Sequence, residues 1–213
     1  TLRSSSAASD VYKRQITEDA ASTGVSATAV TYALINNLTV DGTLNFTLTT
    51  DDATSGVSIV SNNVSKADLT NLRDAINAKA AVTGVTATYE SGSQGGVVLK
   101  HATGGNINMT NFTGATTTAE IDVHSLDVDG KTELDTGASG VATDGANDAF
   151  VTGTMTLSSI KAFTVSGDGD DDAGFFNTNH GFSGATQAGG TAALTNMANI
   201  TIGTQTGAEA AIA

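Results

Sequence analysis

The chain contains no cysteine, no proline and no tryptophan, and only 5% of its 213 residues are aromatic. Without cysteine, neither disulfide bonds nor thiolate metal sites can form. With so few aromatic side chains, the core must be built from valine, isoleucine, leucine and alanine. No apolar run approaches the roughly 20 residues of a membrane span, and residues 1–15 lack the apolar stretch of a signal peptide. A membrane is therefore not predicted as a partner.

Positive charge is also scarce. Nine Lys and Arg residues stand against 22 Asp and Glu residues, which gives a formal net charge of −13. Because such a chain would be repelled by nucleic acids and by anionic membranes, neither is a predicted partner. The chain also has many glycine, threonine, alanine, serine and asparagine residues. This composition is typical of a hydrated outer surface.

Two similar stretches stand sixty residues apart. Residues 16–28 read ITEDAASTGVSAT, and residues 76–88 read INAKAAVTGVTAT. Each stretch predicts a helix end, a glycine turn at Gly24 or Gly84, and the start of a strand. A unit used twice is typical of a modular structural protein rather than a single enzyme scaffold. With two copies only, a shared turn chemistry is the alternative interpretation.

The clearest predicted helix covers residues 66–81. Ser65 and Asp68 fit a capping box at its start, with Asp in place of the usual Glu. Gly84 is expected to provide the left-handed turn that follows the helix. The apolar stripe of this helix has three members at positions i, i+3 and i+7: Leu69, Leu72 and Ile76.

Alternating apolar residues predict strands on both sides of this helix. They are Leu44, Phe46, Leu48, Val57, Ile59, Val85, Ala87, Tyr89, Val97, Leu99, Ile107 and Met109. Asp41-Gly42 predicts a two-residue hairpin between two strands, and Asp129-Gly130 repeats that chemistry. The predicted fold class is α+β and β-rich, with antiparallel sheets, hairpins and a packed amphipathic helix.

Enzymatic activity is not predicted. His101, His124 and His180 are scattered, and no carboxylate or second histidine stands at metal-ligand spacing from them. The chain has no cysteine nucleophile, no G-x-S-x-G motif and no phosphate-binding loop. No catalytic or cofactor-binding residue and no cofactor is therefore assigned.

One acidic cluster is similar in sequence to the first part of a calcium-binding loop. Asp168, Asp170 and Asp172 match its first three ligand positions. Ala173 and Asn179, however, stand where such a loop needs Gly and Glu. A solvated acidic loop is the favoured interpretation, and no metal ligand is assigned.

Several stretches resemble bacterial flagellins. Residues 68–78, DLTNLRDAINA, and the TGVTA that follows are similar to the IN motif of the outer, variable part of that subunit. The resemblance continues through VVL at 97–99 and GGNINM at 104–109. Residues 199–212, NITIGTQTGAEAAI, resemble the start of the C-terminal core helix, although serine is commoner in the family where Gly203 stands. Hook-associated proteins also carry the IN motif, so its combination with this junction is the more specific feature.

The resemblance covers residues 16–112 and 159–213 and implies repeated flagellin outer-domain units. The long heptad-patterned helix that begins a flagellin is not seen, and the one that ends it looks cut short. The predicted segments are a non-native or disordered tail (1–15), an IN-type α+β domain (16–113), a variable β/loop insertion (114–158), a return segment (159–198) and the start of a core helix (199–213). The tail TLRSSSAASDVYKRQ resembles translated adapter sequence, and a native polar tail is the alternative.

The resemblance implies a structural subunit of the bacterial flagellar filament that supports motility, with this chain as its secreted, extracellular outer region. Its implied partners are other flagellin subunits, through core helices not seen here, and an export chaperone and apparatus. The alternatives are a hook-associated or cap protein, or an extracellular adhesin-like binding module. By itself the chain is expected to remain monomeric.

Overall fold

A computed structural model of the chain describes residues 9–160, apart from 52, 54, 91, 92, 135–139 and 143–147. The predicted core-helix start (199–213) and nearly all of the return segment (159–198) lie outside the described residues. So do His180 and the acidic cluster at 168–172. The described residues divide into two compact units, 9–20 with 26–157 and 21–25 with 158–160. The larger unit contains nearly all of the strand residues.

Strands dominate the described residues. The helices are α1 (Ser9–Glu18), α2 (Ala20–Thr23), α3 (Thr70–Asn77) and α4 (Ala80–Thr83). The strands are β1 (Val25–Asn36), β2 (Gly42–Thr50), β3 (Val57–Val64), β4 (Val85–Glu90), β5 (Ser93–His101), β6 (Ile107–Thr113), β7 (Glu120–Leu126), β8 (Gly140–Ala142), β9 (Ala149–Val151) and β10 (Thr154–Ser159). This secondary-structure content confirms the predicted β-rich α+β class.

The strands form two antiparallel sheets. The six-stranded sheet has the order β4-β5-β1-β7-β8, and β10 also pairs with β1. The four-stranded sheet has the order β3-β2-β6-β9. Strands β1 and β2 are interior members of their sheets, since each pairs with a neighbour on both sides.

The larger of two apolar clusters joins the inward faces of both sheets to helix α3. Along β2, Leu44, Phe46 and Leu48 are at most 2% exposed, while the threonine and asparagine residues between them face outward. This is the period-two burial that the alternation predicts. The core continues through residues of the other strands, of α3 and of the position just before α3: Ile35, Ile59, Leu69, Leu72, Ile76, Val85, Val97, Leu99, Ile107, Met109, Phe112, Ile121 and Val123.

Helix α3 is shorter than predicted. It begins at Thr70, not Lys66, and it ends at Asn77 before the separate turn α4. The capping-box prediction is wrong, because the backbones of Ser65 and Asp68 bond to each other in a tight turn. Asp68 instead accepts a hydrogen bond from the Thr70 N–H at 2.9 Å. The predicted apolar stripe is confirmed, since its three members are fully buried.

Two asparagines of α3 bind the edge strands of the two sheets. The Asn77 amide donates to the Ala87 carbonyl of β4 at 2.9 Å and accepts from the Ala87 N–H at 2.8 Å. The Asn71 amide donates to the backbone carbonyls of Asn62 and Asn63 on β3, both at 3.0 Å. These bonds satisfy edge groups that would otherwise be open to pairing with another strand.

The hairpin predicted at Asp41-Gly42 is wrong. The flanking strands β1 and β2 belong to different sheets, so they cannot form a hairpin with each other. The Thr39 N–H donates to the Glu120 carbonyl at 3.0 Å as the chain crosses between the sheets. The Asp41 side chain accepts from the Lys66 N–H at 2.7 Å. A turn signal of two residues carries no information about which sheet receives the next strand.

The reversal predicted at Asp129-Gly130 is present with a longer loop. The Asp127 N–H donates to the Thr132 carbonyl at 2.8 Å, so four residues rather than two separate the paired positions. Gly130 has φ +65°. The Asp129 carboxylate accepts from the N–H groups of Lys131 and Thr132 at 2.8 and 2.9 Å. These bonds close the turn.

Each of the two strands that pair with β2 contains a β-bulge at an asparagine. The pairing of β2 with β3 shifts between Gly42 and Leu44, and its pairing with β6 shifts between Asn45 and Thr47. Asn63 and Asn111, in these two shifted stretches, have φ of +54° and +56°. Asparagine tolerates this left-handed backbone better than other non-glycine residues. The bulge on β6 turns Phe112 inward, where its ring stacks on Phe46 with centroids 5.0 Å apart.

Two observations concern the predicted boundaries of the tail and of the insertion, and these boundaries remain predictions. Residues 120–126 form β7, whose Ile121 and Val123 belong to the core although they fall within the predicted insertion. Helix α1 begins at Ser9, within the predicted tail. The Lys13 ammonium donates to the Thr103 carbonyl at 3.0 Å.

Candidate functional surfaces

His101 is a buried structural residue at the end of β5. Its side chain is 1% exposed, and its Nδ1 accepts a hydrogen bond from the Gly105 N–H at 3.0 Å. The Gly105 carbonyl in turn accepts from the Thr31 hydroxyl at 2.7 Å. A β-carbon at Gly105 would lie 2.7 Å from the His101 ring, so only glycine fits there. The ring therefore organises the β5–β6 connection and is not presented to a substrate.

His124 lies on the outer face of β7, 6% exposed, with Nδ1 3.9 Å from a carboxylate oxygen of Glu133. That is too long for a direct hydrogen bond. His101 and His124 lie on separate strands and face opposite sides of the six-stranded sheet. Among the described residues, no group of three or more His, Asp or Glu side chains could hold a metal ion. The prediction that the chain has no catalytic, cofactor or metal residues is untested and stays a prediction.

A polar cavity of about 570 Å³ opens beside the end of β1. Its lining includes Asn36, Lys66, Glu90 and Ser93. The cavity is open to solvent, and the described residues that line it include no aromatic side chain and a single large apolar one, Leu38. Ligand sites are typically enclosed and mostly apolar, with a few convergent polar groups. The cavity does not fit that description.

A charged cluster lies where α3 meets β4. The Arg73 guanidinium stacks over the Tyr89 ring at 4.4 Å from its centroid, and it bonds to Asp74. The Asp74 hydrogen bond raises the pKa of Arg73. Hydrogen bonds from the Thr70 hydroxyl and N–H hold the pKa of Asp68 below its ordinary value. Because both carboxylates are exposed to solvent, the cluster orders the start of α3 and contributes little to stability.

The outer face of the four-stranded sheet differs from that of the six-stranded sheet because its strands carry no charged side chain. Strands β2, β3, β6 and β9 contain no Asp, Glu, Lys, Arg or His at all. The six-stranded sheet carries charged side chains on its outer face, among them Glu90, Lys100 and Asp122. We call the first surface the neutral face and define it by its central residues, Thr43, Asn45, Thr47, Thr49, Asn108 and Thr110. Sequence reasoning missed it, because β1, β8 and β10 of the other sheet also lack charged residues, so absence of charge in a strand does not identify the face.

Comparison with known proteins identifies a flagellin as a relative. The chain is 30% identical to the B-type flagellin of Pseudomonas aeruginosa over 187 residues, which cover 84% of this chain and 36% of that protein. The chain thus spans about a third of the length of this relative. No protein-family model matches the chain. The match supports a flagellin-like identity, whereas the IN motif and the C-terminal junction stay predictions. None of the helices in the described part of the chain has the length and apolar character of a membrane-spanning helix.

Proposed function

We propose that this chain is the outer, surface-exposed region of a flagellin-type subunit of the bacterial flagellar filament. The similarity to a B-type flagellin along 84% of the chain is the observation that carries the proposal. The β-rich composition of the described residues supports it, since α1, with ten residues, is the longest helix among them. That length is far below what a long coiled-coil core helix requires.

The proposed mechanism is assembly rather than chemistry. Core helices on either side of this region pair with those of other subunits, and the region itself forms the filament exterior. A net charge of −13 keeps such an exterior hydrated and limits non-specific adhesion. The proposed location is extracellular, after passage through an export apparatus with its chaperone, and the proposed role is support of motility.

A chimeric filament tests this proposal. The matched segment of the B-type flagellin is replaced by residues 16–213, and the chimera is produced in cells that lack their own flagellin. Filaments are expected to form, and antibodies against this chain are expected to label them along their whole length. A control chimera with a short Gly/Ser linker in place of the segment should give filaments without label.

The label pattern distinguishes the alternatives. Label at the filament tip or the hook junction alone would indicate a cap or hook-associated protein. Absence of filaments from the chimera, with normal filaments from the linker control, would contradict the proposal, because the region would then be incompatible with the subunit that it is proposed to complete.

A further inference from the structure

The neutral face is an unusual surface for a chain of net charge −13. All its central side chains are hydroxyls or amides, and the strands that build it have no ionisable residue. Two large apolar side chains are exposed on the flanking strands, Val60 on β3 at 54% and Phe150 on β9 at 52%. The face therefore offers hydrogen-bonding groups and two apolar side chains, but no charge, to a partner.

Some of the polar side chains of the neutral face form hydrogen bonds to each other within the sheet. The Thr43 hydroxyl donates to the Asn62 side-chain carbonyl at 3.3 Å, and the Asn45 amide donates to the Thr113 hydroxyl at 3.4 Å. Both are long bonds, and each hydroxyl has further bonding capacity. The face is therefore a partly pre-organised array of donors and acceptors.

We infer that the neutral face binds an uncharged, extended, β-linked oligosaccharide. Hydroxyl and amide groups are suited to the hydroxyls of a sugar chain, and Phe150 and Val60 offer surfaces for the C–H faces of its rings. The two apolar residues lie on the outer strands, three strand spacings or roughly 14 Å apart across the sheet, and the pairing registers offset them by about four residues, or roughly 13 Å, along the strands. A chain of a few sugars spans that separation.

Charge and shape decide between classes of partner. An anionic polymer would be repelled by the acidic chain. A protein interface of ordinary type has its apolar anchors at the centre and its polar groups at the rim, the reverse of the arrangement here. An extended sugar chain can follow an open sheet face, whereas a helically curved one cannot keep contact along it. This inference does not depend on assembly of the chain into a filament.

The test uses the whole 213-residue chain, labelled with ¹⁵N and titrated with cellohexaose. Saturable shifts are expected for amides of β2, β6 and β9, with much smaller effects elsewhere. Maltohexaose has the same sugar in a curved chain, and hexagalacturonate has a negative charge on every ring. Both are expected to bind at least about tenfold more weakly.

Substitutions locate the site. Thr47→Asp places a charge at the centre of the face, and Phe150→Ala removes a ring contact; each is expected to weaken cellohexaose binding about tenfold. Thr86→Asp is the matched control, because Thr86 is an exposed strand threonine on the outer face of the other sheet. It should leave binding unchanged. Circular dichroism confirms that each variant is folded.

The inference would be overturned by the absence of a saturable shift with cellohexaose, by equal weakening of binding by Thr86→Asp and Thr47→Asp, or by equal or tighter binding of hexagalacturonate. Concentration-dependent dimerisation that Thr47→Asp abolishes, without any cellohexaose binding, would likewise overturn it and identify the face as an interface between copies.

Discussion

Gly24 and Gly84 have the same backbone conformation, with φ of +69° at each. In both turns a four-residue helical segment ends at a threonine, and a strand begins at the valine after the glycine. In both, the threonine hydroxyl accepts a hydrogen bond from the valine N–H at 3.2 Å. The two similar stretches of sequence thus build the same local structure.

The first prediction concerns Gly84→Val. Because a β-branched residue resists this left-handed backbone, the variant should lose more than about 1 kcal/mol of unfolding free energy. Gly84→Asn is the control, since asparagine tolerates the same φ. Urea denaturation of both variants measures the difference. Equal stability of the valine variant and the parent would show that the turn does not require glycine.

A second prediction concerns Phe112, which is fully buried against Phe46. Phe112→Ala should destabilise the chain by about 3–5 kcal/mol, because it leaves a cavity in the shared core. Phe150→Ala makes the same chemical change at a side chain that is 52% exposed, and it should shift stability by no more than about 0.5 kcal/mol. Similar losses in thermal unfolding for the two variants would contradict the core assignment.

The third prediction concerns Asn77. Asn77→Ala removes two hydrogen bonds and leaves the N–H and carbonyl of Ala87 at the β4 edge without this partner. A loss of about 1–3 kcal/mol is expected, with an increased tendency to aggregate, because an open strand edge invites pairing with another chain. Lys79→Ala, at an exposed position two residues later, is the control. Light scattering on heating and chemical denaturation provide the measurements; unchanged behaviour of Asn77→Ala would exclude a protective role.

The fourth prediction is a pH dependence at Asp129. Backbone and side-chain hydrogen bonds from Thr132, then the Lys131 N–H, hold its pKa below the ordinary value of 3.8. A carboxylate with a lowered folded-state pKa stabilises the fold above its unfolded-state pKa, and that contribution is lost as pH falls through the folded-state pKa. The melting temperature of the parent should therefore exceed that of Asp129→Ala at about pH 7, and the gap should narrow as the pH is lowered below about 4. A gap of constant size across the acid range would contradict this account.

Local features were predictable from the sequence. The alternation in β2 predicted that Leu44, Phe46 and Leu48 are buried, and Gly84 marked the end of the helical segment. These features depend on side-chain direction along one strand and on the backbone freedom of one residue. The exact start of α3 was not predictable, because Ser65 and Asp68 have a capping pattern that their mutual turn overrides.

Only the tertiary structure decided which strands are neighbours. The Asp41-Gly42 signal predicted that β1 and β2 pair with each other, but the chain crosses between two sheets there, since pairing partners are selected by the shared core and not by the turn. The contact of Asn77 with Ala87 and the inward turn of Phe112 also depend on residues brought together by pairing. The sequence by itself determined a chain rich in strands, acidic overall and without charge in several strands. Four uncharged strands, β2, β3, β6 and β9, form one continuous face because long-range packing places them in the same sheet, whereas β1, β8 and β10, which also lack charged residues, lie in the other sheet.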